Sequence, residues 1–530
     1  MKYFTRVFSF FSSYLGYSSF RLYIIITISM ATGCSYHVNS FSDIPDANPG
    51  DYECDTGQGI CTLRAAIMES SANISPDTIF IPPGTYNLTL PTDNGGGRLT
   101  IDFGVKLQGS GAANTIINQT VQDSVIHITD GSVVEINNLS VQGGDAQFGG
   151  GIFVSDGDIE ITNVNIRQNH AFTGGGGLYV ASDADVTLKQ VLIDGNSVVG
   201  AFGGGVLNNG RLFIHASTLS NNESNRAGGL RNGSTGILNL RNVTVSGNSA
   251  TSNSAGTGGI SQNGFAFLNN VTVTNNTGSG NQLNSFTGGG IQTTDSATTV
   301  VKNSIIAGNH GDGGPDDCMG TLTADSRNNL IGDTTECNIV AFVSTYILNQ
   351  SAQLGLLLNN NGTTNTHLPG NNSPAINNAY GFPPPAVNAC ESHDQRGIPR
   401  PANSCDMGAV ELTSSISYVT GFMLVDADTF GDLHPLLYGD VLDLSTLPSN
   451  LSVRTITSST PQSVVFGLND NTAFQTENNP PFALAGDTGI VYHAVDFSPG
   501  DNTITATPYS SSNGTGVAGG SLSIKIVVVN

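Results

Sequence analysis

Short apolar runs alternate with glycine and asparagine throughout the middle of the chain. A four-residue phrase recurs there, and its second position returns every 25 to 33 residues, at Leu139, Val164, Val191, Ser217, Val243, Val271 and Ser304. Five residues later an asparagine recurs six times, at Asn169, Asn196, Asn222, Asn248, Asn276 and Asn309. Glycine followed by an apolar residue forms a second register. An apolar position three residues before the phrase's second position forms a third. Three registers with one period predict three short strands per repeat.

Such a repeat predicts a coil of strands, each turn stacked on the next at roughly 4.8 Å, the spacing of paired strands. Inward side chains would fill an apolar bore, and outward ones would form files along the axis. Asparagine at a fixed corner tolerates left-handed backbone, and stacked amides can hydrogen-bond along the file. A β-sandwich with long hairpins is the alternative, but it does not explain three registers that share one period. An array of helical repeats is excluded, because the repeated region has no 3.6-residue period.

The repeat resembles the right-handed parallel β-helix of the pectate-lyase-like superfamily, which implies an all-β solenoid. Upstream, two stretches resemble the CSLREA motif of bacterial β-helix surface proteins: Asp46–Gly50 and Cys61–Ile67. Downstream, three stretches resemble the end of a choice-of-anchor Q domain: Asn372–Ile376, Asp394–Pro401 and Cys405–Glu411. The resemblance covers about residues 41–412 and implies no settled activity.

Both terminal motifs have a structural interpretation. Four residues fall on one helical face that could close the open bore: Leu63, Ala66, Ile67 and Ser70. Four charged residues could close the other end as an ion-pair network: Arg396, Arg400, Asp406 and Glu411. We favour capping over catalysis, since structural ion pairs are the common case.

The last part of the chain differs from the repeat. A polar linker follows Glu411, and strand-like runs separated by Asn, Gly and Pro then predict a β-sandwich of immunoglobulin-like type. We therefore expect four segments: a signal peptide over 1–33, a cap over 41–77, a β-helix over 78–412 and a sandwich module over 416–530.

The leader predicts export. Residues 1–33 are basic, contain no acid, and hold a short apolar run before Cys34. This pattern is typical of a lipoprotein whose Cys34 becomes the lipidated N-terminus; the alternative is an incidental thiol near an ordinary cleavage site. The other six cysteines form three local pairs: Cys54 with Cys61, Cys318 with Cys337, and Cys390 with Cys405. Local disulfides suit an oxidising compartment, so we expect a lipid-anchored protein at the outer membrane or cell surface.

Composition narrows the functional classes. The chain has 18 Lys and Arg against 41 Asp and Glu, a formal net charge of −23. This argues against nucleic-acid binding, which needs a basic footprint. The absence of Trp counts mildly against a sugar-stacking platform, although Tyr could substitute.

Candidate chemistry is sparse. The outward files beside the phrase contain one acid, Asp194, and the histidines show no metal-ligand spacing, so we assign no catalytic residue. A residual file combines His170, Glu223 and His310. The loop acids most able to converge are Asp312, Asp316 and Asp317.

Two weaker binding sites follow from charge. A basic file of Lys189, His215, Arg241 and Lys302, with Arg226 and Arg231 expected near it, predicts contact with an anionic glycan. The alternative is that Glu160 and Asp185 neutralise the file. Three acids crowd one stretch of the last module and suggest calcium, or solvated turn acids: Asp426, Asp428 and Asp432. No other cofactor is expected.

The sequence therefore favours a non-catalytic, structural or adhesin-like surface protein with an anionic polysaccharide as its candidate ligand. The alternative is a polysaccharide lyase or glycoside hydrolase with its carboxylates on loops. Its oligomeric state is not predicted.

Overall fold

The computed structural model describes residues 33–530 outside 74–75, 93–95, 130–132, 201, 252–255, 281–287, 312, 341–342, 381–388, 403, 413–416, 490 and 530. The signal-peptide prediction thus lies outside the described residues, apart from Gly33. Most of the predicted linker after Glu411 and the candidate acid Asp312 lie outside them as well.

Parallel strands build a β-helix. Its strands in chain order are Ser35–His37, Asp77–Ile81, Gly84–Leu88, Leu99–Ile101, Val105–Gly109, Thr115–Gln119, Ile126–Ile128, Val133–Gln142, Ile152–Arg167, Leu178–Lys189, Leu192–Asp194, Val206–Asn208, Arg211–Ser220, Leu230–Asn232, Ile237–Ser246, Ile260–Gln262, Phe265–Thr274, Ile291–Thr293, Thr298–Lys302, Ile305–Ile306, Cys318–Leu322, Leu330–Ile331, Glu336–Ile339 and Ile347–Leu348. The longest strands bend round the coil, so one strand contributes to more than one side.

The coil has three sides, which we call sheets A, B and C, and each has an inward apolar file. Sheet A pairs Ile136, Ile161, Leu188, Ile214, Leu240, Leu268 and Val301 in order. Sheet B pairs Val141, Ile166, Ile193, Leu219, Val245, Val273 and Ile306. Sheet C pairs Ile126, Ile152, Leu178, Val206, Leu230, Ile260 and Ile291. All are buried, which confirms the predicted registers of the repeat.

A fourth, short parallel ladder lies at the corner between sheets B and C, and we call it the corner ladder. Its strands are Asp145–Phe148, His170–Gly174, Ser197–Val198, Glu223–Ser224 and Ser249–Ala250. It joins the asparagine corner of each coil to the glycines that precede sheet C.

The recurring asparagines form a buried ladder of side-chain amides. Each Nδ2 from Asn169 to Asn276 donates to the Oδ1 of the next asparagine at 2.8–3.0 Å. The last, Asn309, donates to the carboxylate of Asp317 at 2.7 Å. The expected left-handed backbone at the ladder positions is wrong. Positive φ angles occur one residue earlier, as at Asn221 and Gly247, because the corner turns there while the ladder side chain points inward.

A capping helix covers the start of the bore. It runs over Leu63–Ala72, and the side chain of Thr62 accepts a hydrogen bond from Ala65 N. Leu63, Ala66 and Ile67 belong to the same apolar core as the strands. The helix therefore shields the inward files at this end.

The chain returns over its own coils in a segment that we call the strap, residues 354–412. It contains the antiparallel strands Leu354–Leu358 and Thr366–Pro369, and a 3-10 turn over Val343–Thr345 precedes it. The strap lies on the outward face of sheet B, where Thr218, Thr244 and Thr272 are buried. These hydroxyls bond to strap groups, for example Thr244 Oγ1 to Gln395 Oε1 at 2.7 Å.

Buried ion pairs hold the strap together. Arg396 pairs with Asp394 at 2.7 Å, and Arg400 pairs with Glu411 at 3.1 Å, with all four side chains almost fully buried. Asp406 instead accepts backbone hydrogen bonds from Asn377 and Leu412. Of the four charges expected to close the helix as one network, Arg400 and Glu411 form a direct pair.

The three expected disulfides are confirmed. The bonds join Cys54 to Cys61, Cys318 to Cys337, and Cys390 to Cys405. Cys34 is the free cysteine of the described residues and is partly exposed.

The C-terminal module consists of two main sheets that share one apolar core around Phe422 and Phe466. One sheet is antiparallel, with strands Val419–Asp426, Asp432–Leu436 and Leu451–Thr457. The other contains Val441–Asp443, Ser463–Leu468, Asn471–Glu477, Gly500–Ser511, Thr515–Ala518 and Leu522–Val529. A small hairpin of Asp487–Thr488 with Val491–Tyr492 also belongs to this module. A second small hairpin, His310–Gly311 with Gly314–Pro315, lies in the β-helix. The immunoglobulin-like type stays a prediction.

Within the described residues, no helix has the length and apolar character that crossing a membrane requires.

Candidate functional site

An open groove of about 420 Å³ lies beside sheet C near the start of the coils. Phe153 reaches it from the outward file of sheet C, and Phe148 and Phe172 reach it from the corner ladder. Tyr179, the next outward residue after Phe153, lies 5.0 Å from that ring and 5.1 Å from Phe148. We call this surface the aromatic groove.

Charged groups flank the rings. Arg98, Asp123 and Asp145 line the groove, and Arg98 Nη1 lies 3.3 Å from Asp123 Oδ1. The backbone N of Asp145 donates to Asp123 O at 2.9 Å, so the two carboxylates come from adjacent rungs. Rings for apolar contact thus lie beside groups that can hydrogen-bond, which is the usual composition of a ligand site.

Asp145 also orients a histidine. Its Oδ1 lies 2.6 Å from Nδ1 of His170, whose ring meets Phe172 edge to face at 4.9 Å. In a neutral imidazole, donation from Nδ1 to the carboxylate leaves the lone pair on Nε2. The pair could therefore move a proton at Nε2.

His127 serves the site differently. It stacks on Phe153 with ring centres 4.5 Å apart, and its Nε2 bonds to Ser155 Oγ at 2.8 Å. Burial first, and then the charge of Arg98, lowers the pKa of His127 to about 4. The ring is therefore neutral at pH 7 and supports Phe153.

Comparison with known proteins agrees with the fold. The model of a family described as the right handed beta helix region matches residues 103–305.

The chain is a right-handed parallel β-helix protein.

Solved structures resemble the β-helix protein only distantly. The catalytic domain of Agl-KA shares 14% identity over 60% of this chain and 67% of its own, with a TM-score of 0.26. The Dettilon tailspike protein shares 10% identity over 85% of this chain and 75% of its own, with a TM-score of 0.24. A protein of Geobacillus virus E2 shares 13% over 73% and 79%, with a TM-score of 0.19. No curated protein matches the sequence.

The residues of the predicted basic file do lie in one line along the β-helix protein. Residues Thr162, Lys189, His215, Arg241, Asn269 and Lys302 pair in order along sheet A. Its charges are largely compensated or buried, however. Lys189 pairs with Glu160 at 2.9 Å, and Arg241 pairs with Glu391 of the strap at 3.2 Å. Burial lowers the pKa of His215, and burial likewise lowers the pKa of Lys302.

Arg226 and Arg231 do not lie beside that file, contrary to expectation. Arg231 is in the outward file of sheet C, and both guanidinium groups lie over the ring of Phe202. The reason is topological, because the coil passes from the corner ladder through sheet C before it reaches sheet A.

The three acids suggested for calcium have separate partners. Asp426 accepts from Thr429, Asp428 accepts from Asn450, and Asp432 pairs with Arg454 at 2.6 Å. In the described part of the chain, no group of three His, Cys, Asp or Glu could hold a metal ion.

The other acid candidates also have structural roles or separate positions. The residual file of histidine and glutamate runs along the corner ladder and its extension, in the order His170, Ser197, Glu223, Ser249, Thr277 and His310. Glu223 and His310 are therefore two coils or more from His170 and lie away from the groove. Asp317 ends the asparagine ladder. Burial raises the pKa of the neighbouring Asp316 to about 7.

Sequence reasoning missed Arg98, Asp123 and Asp145, together with the rings around them. In this coil Gly144 occupies the position of the ladder asparagine. The recurring asparagines therefore do not draw attention to Asp145, the next residue. Phe153 and Tyr179 directly follow the apolar residues of the glycine register. Reading that outward file would have revealed a run of His127, Phe153 and Tyr179.

Proposed function

We propose that the β-helix protein binds a polysaccharide in the aromatic groove. The observation that carries the proposal is the grouping of Phe148, Phe153 and Phe172 around one open groove beside Arg98 and Asp145. Aromatic faces pack against the C–H faces of sugar rings, and charged side chains bond to their hydroxyls. Phe172 is 39% exposed, so a ligand would cover apolar surface that now faces water.

The groove supports this function better than the polar files of sheet B do. The strap covers the outward threonines of that sheet, including Thr244 and Thr272. The basic file of sheet A is compensated at Lys189 and Arg241. Binding is therefore expected at sheet C.

Substitution of the rings tests the proposal. Affinity electrophoresis against a panel of neutral and acidic polysaccharides would first identify a ligand for residues 34–530. Phe153→Ala and Phe172→Ala should each weaken its binding about tenfold, because an aromatic contact contributes roughly 1 kcal/mol beyond its buried area.

Phe265→Ala is the matched control. Phe265 lies on sheet A and is 44% exposed, similar to Phe172. The Phe265→Ala variant should bind the polysaccharide as tightly as the unchanged protein does. Unchanged affinity in both groove variants, or an equal loss in the control, would overturn the proposal.

A second candidate function is cleavage of the bound chain. The pair Asp145–His170 and the carboxylate of Asp123 favour it, because they place a proton acceptor beside the rings. His170→Ala should then abolish release of reducing or unsaturated sugar while binding persists. Absence of product from every polysaccharide that binds would leave the protein as a non-catalytic binder.

A further inference from the structure

Two arginines share one aromatic ring at the corner beside sheet C. The guanidinium carbon of Arg231 lies 4.5 Å from the ring centre of Phe202, and that of Arg226 lies 5.8 Å from it. Both contacts are within the range of a cation–π interaction. The ring therefore holds two positive groups close together.

Within the part of the chain that the structure describes, neither arginine forms an ion pair with an acidic side chain. Ten lysines and arginines of the described residues form ion pairs with Asp or Glu, and neither Arg226 nor Arg231 is among them. The hydrogen bond seen for Arg231 goes to the neutral Ser261 Oγ at 2.6 Å. Burial first, and then the charge of Arg226, lowers the pKa of Arg231. A bound anion would offset both the loss of hydration at Arg231 and the repulsion between the two arginines.

The pair continues the line of the aromatic groove. Along the outward file of sheet C, Tyr179 pairs with Leu207, and Leu207 pairs with Arg231. Two rungs correspond to roughly 10 Å at the spacing of paired strands. Phe202 bridges to Gly174, at the end of the corner-ladder strand that carries Phe172. A chain that leaves the groove along the axis would pass over the arginines.

We propose that Arg226 and Arg231 bind an acidic substituent, a carboxylate or a sulfate, on the polysaccharide that occupies the aromatic groove. This rests on the proposed function for the identity of the carrier. Guanidinium groups donate two parallel hydrogen bonds to such anions. The formal net charge of −23 repels dense polyanions, so the fitting ligand is a sparsely substituted polysaccharide.

Chemically matched polymers test this proposal. The probes are dextran, lightly carboxymethylated dextran and lightly sulfated dextran, which share one backbone and differ in charge. The unchanged protein should bind at least one charged form about tenfold more tightly than dextran. The double variant R226Q/R231Q should lose that preference and keep its affinity for dextran.

Arg211→Gln is the matched control, because Arg211 is an exposed arginine of sheet A that pairs with Asp185. It should keep the preference. Equal binding of charged and neutral polymers by the unchanged protein, or a preserved preference in R226Q/R231Q, would overturn the anion site.

Phe153→Ala separates this proposal from the proposed function. Loss of charged-dextran binding in R226Q/R231Q but not in Phe153→Ala would support the arginine site and contradict the groove. Loss in Phe153→Ala but not in R226Q/R231Q would support the groove and contradict the arginine site.

Discussion

At the scale of single residues, replacement of a buried ladder asparagine should destabilise the fold more than replacement of an exposed asparagine. Asn222 accepts from the backbone N of Asn196 and donates from Nδ2 to Ile193 O, both within the protein interior. An unpaired polar group at such a site costs about 1–3 kcal/mol. The ladder therefore fixes side-chain identity as well as side-chain volume.

Asn222→Ala should lower the free energy of unfolding by roughly 3 kcal/mol, because it leaves several ladder partners unsatisfied. Denaturant unfolding followed by circular dichroism measures this. Asn338→Ala is the control: its amide bonds to Thr321 at an exposed site, and it should change stability little. Equal stability of the two variants would show that the ladder does not stabilise the coils.

Asp316 predicts a pH dependence of stability. The unfolded chain loses this proton near the ordinary value of 3.8, whereas the folded chain keeps it to about 7 because the carboxyl is buried. The folded state then binds more protons between these values, so its stability falls as pH rises through that window. A pKa raised by about three corresponds to about 4 kcal/mol in full, and partial exposure of the side chain reduces this by about half. Asp316→Asn should remove this component and be more stable than the unchanged protein by roughly 2 kcal/mol near pH 8.

Thermal or denaturant unfolding at several pH values tests the prediction. Asp325→Asn, at an exposed position, is the control and should leave the pH profile of stability unchanged. Parallel pH profiles for the unchanged protein and Asp316→Asn would contradict it.

At the scale of elements, the sequence predicted the coils but not the strap. The inward files repeat at one period and alternate in burial, so a local pattern reveals them, as at Ile161 and Leu188. The strap depends on contacts such as Thr244 with Gln395, which are 151 residues apart. No periodicity links those positions. The glycine register does lead to Phe153 and Tyr179, whereas Phe148 and Phe172 lie in the corner ladder, outside the three registers of the repeat.

The disulfide between Cys390 and Cys405 should keep the strap closed. The double variant C390S/C405S should lose about 3 kcal/mol of stability, the chain-entropy value for a loop of that size. Limited proteolysis should then cut within the strap, residues 354–412. C54S/C61S is the control, because that disulfide directly precedes the capping helix and lies outside the strap. Cleavage outside the strap, or none, would show that other contacts suffice.

At the scale of the whole molecule, location remains a proposal. Three disulfides and the single free Cys34 fit an exported lipoprotein. In the native host, Cys34→Ser should move the protein from the membrane fraction to the soluble fraction, while Ser35→Ala should not. Fractionation with quantitative blotting measures this, and an unchanged distribution would exclude a lipid anchor at Cys34.

The asparagine ladder has a consequence for how such a molecule can change in length. Every interior rung, from Asn196 to Asn276, makes the same bonds to its two neighbours, whereas the terminal carboxylate of Asp317 is unique. Insertion or deletion of one complete coil would therefore preserve the bond pattern of the ladder, and a partial coil would break it. The distance between the aromatic rings of the groove and the paired arginines can accordingly change only in steps of roughly 4.8 Å. The length of the β-helix is therefore set by its number of complete coils, and evolution would change the spacing between the two contact points by one coil at a time.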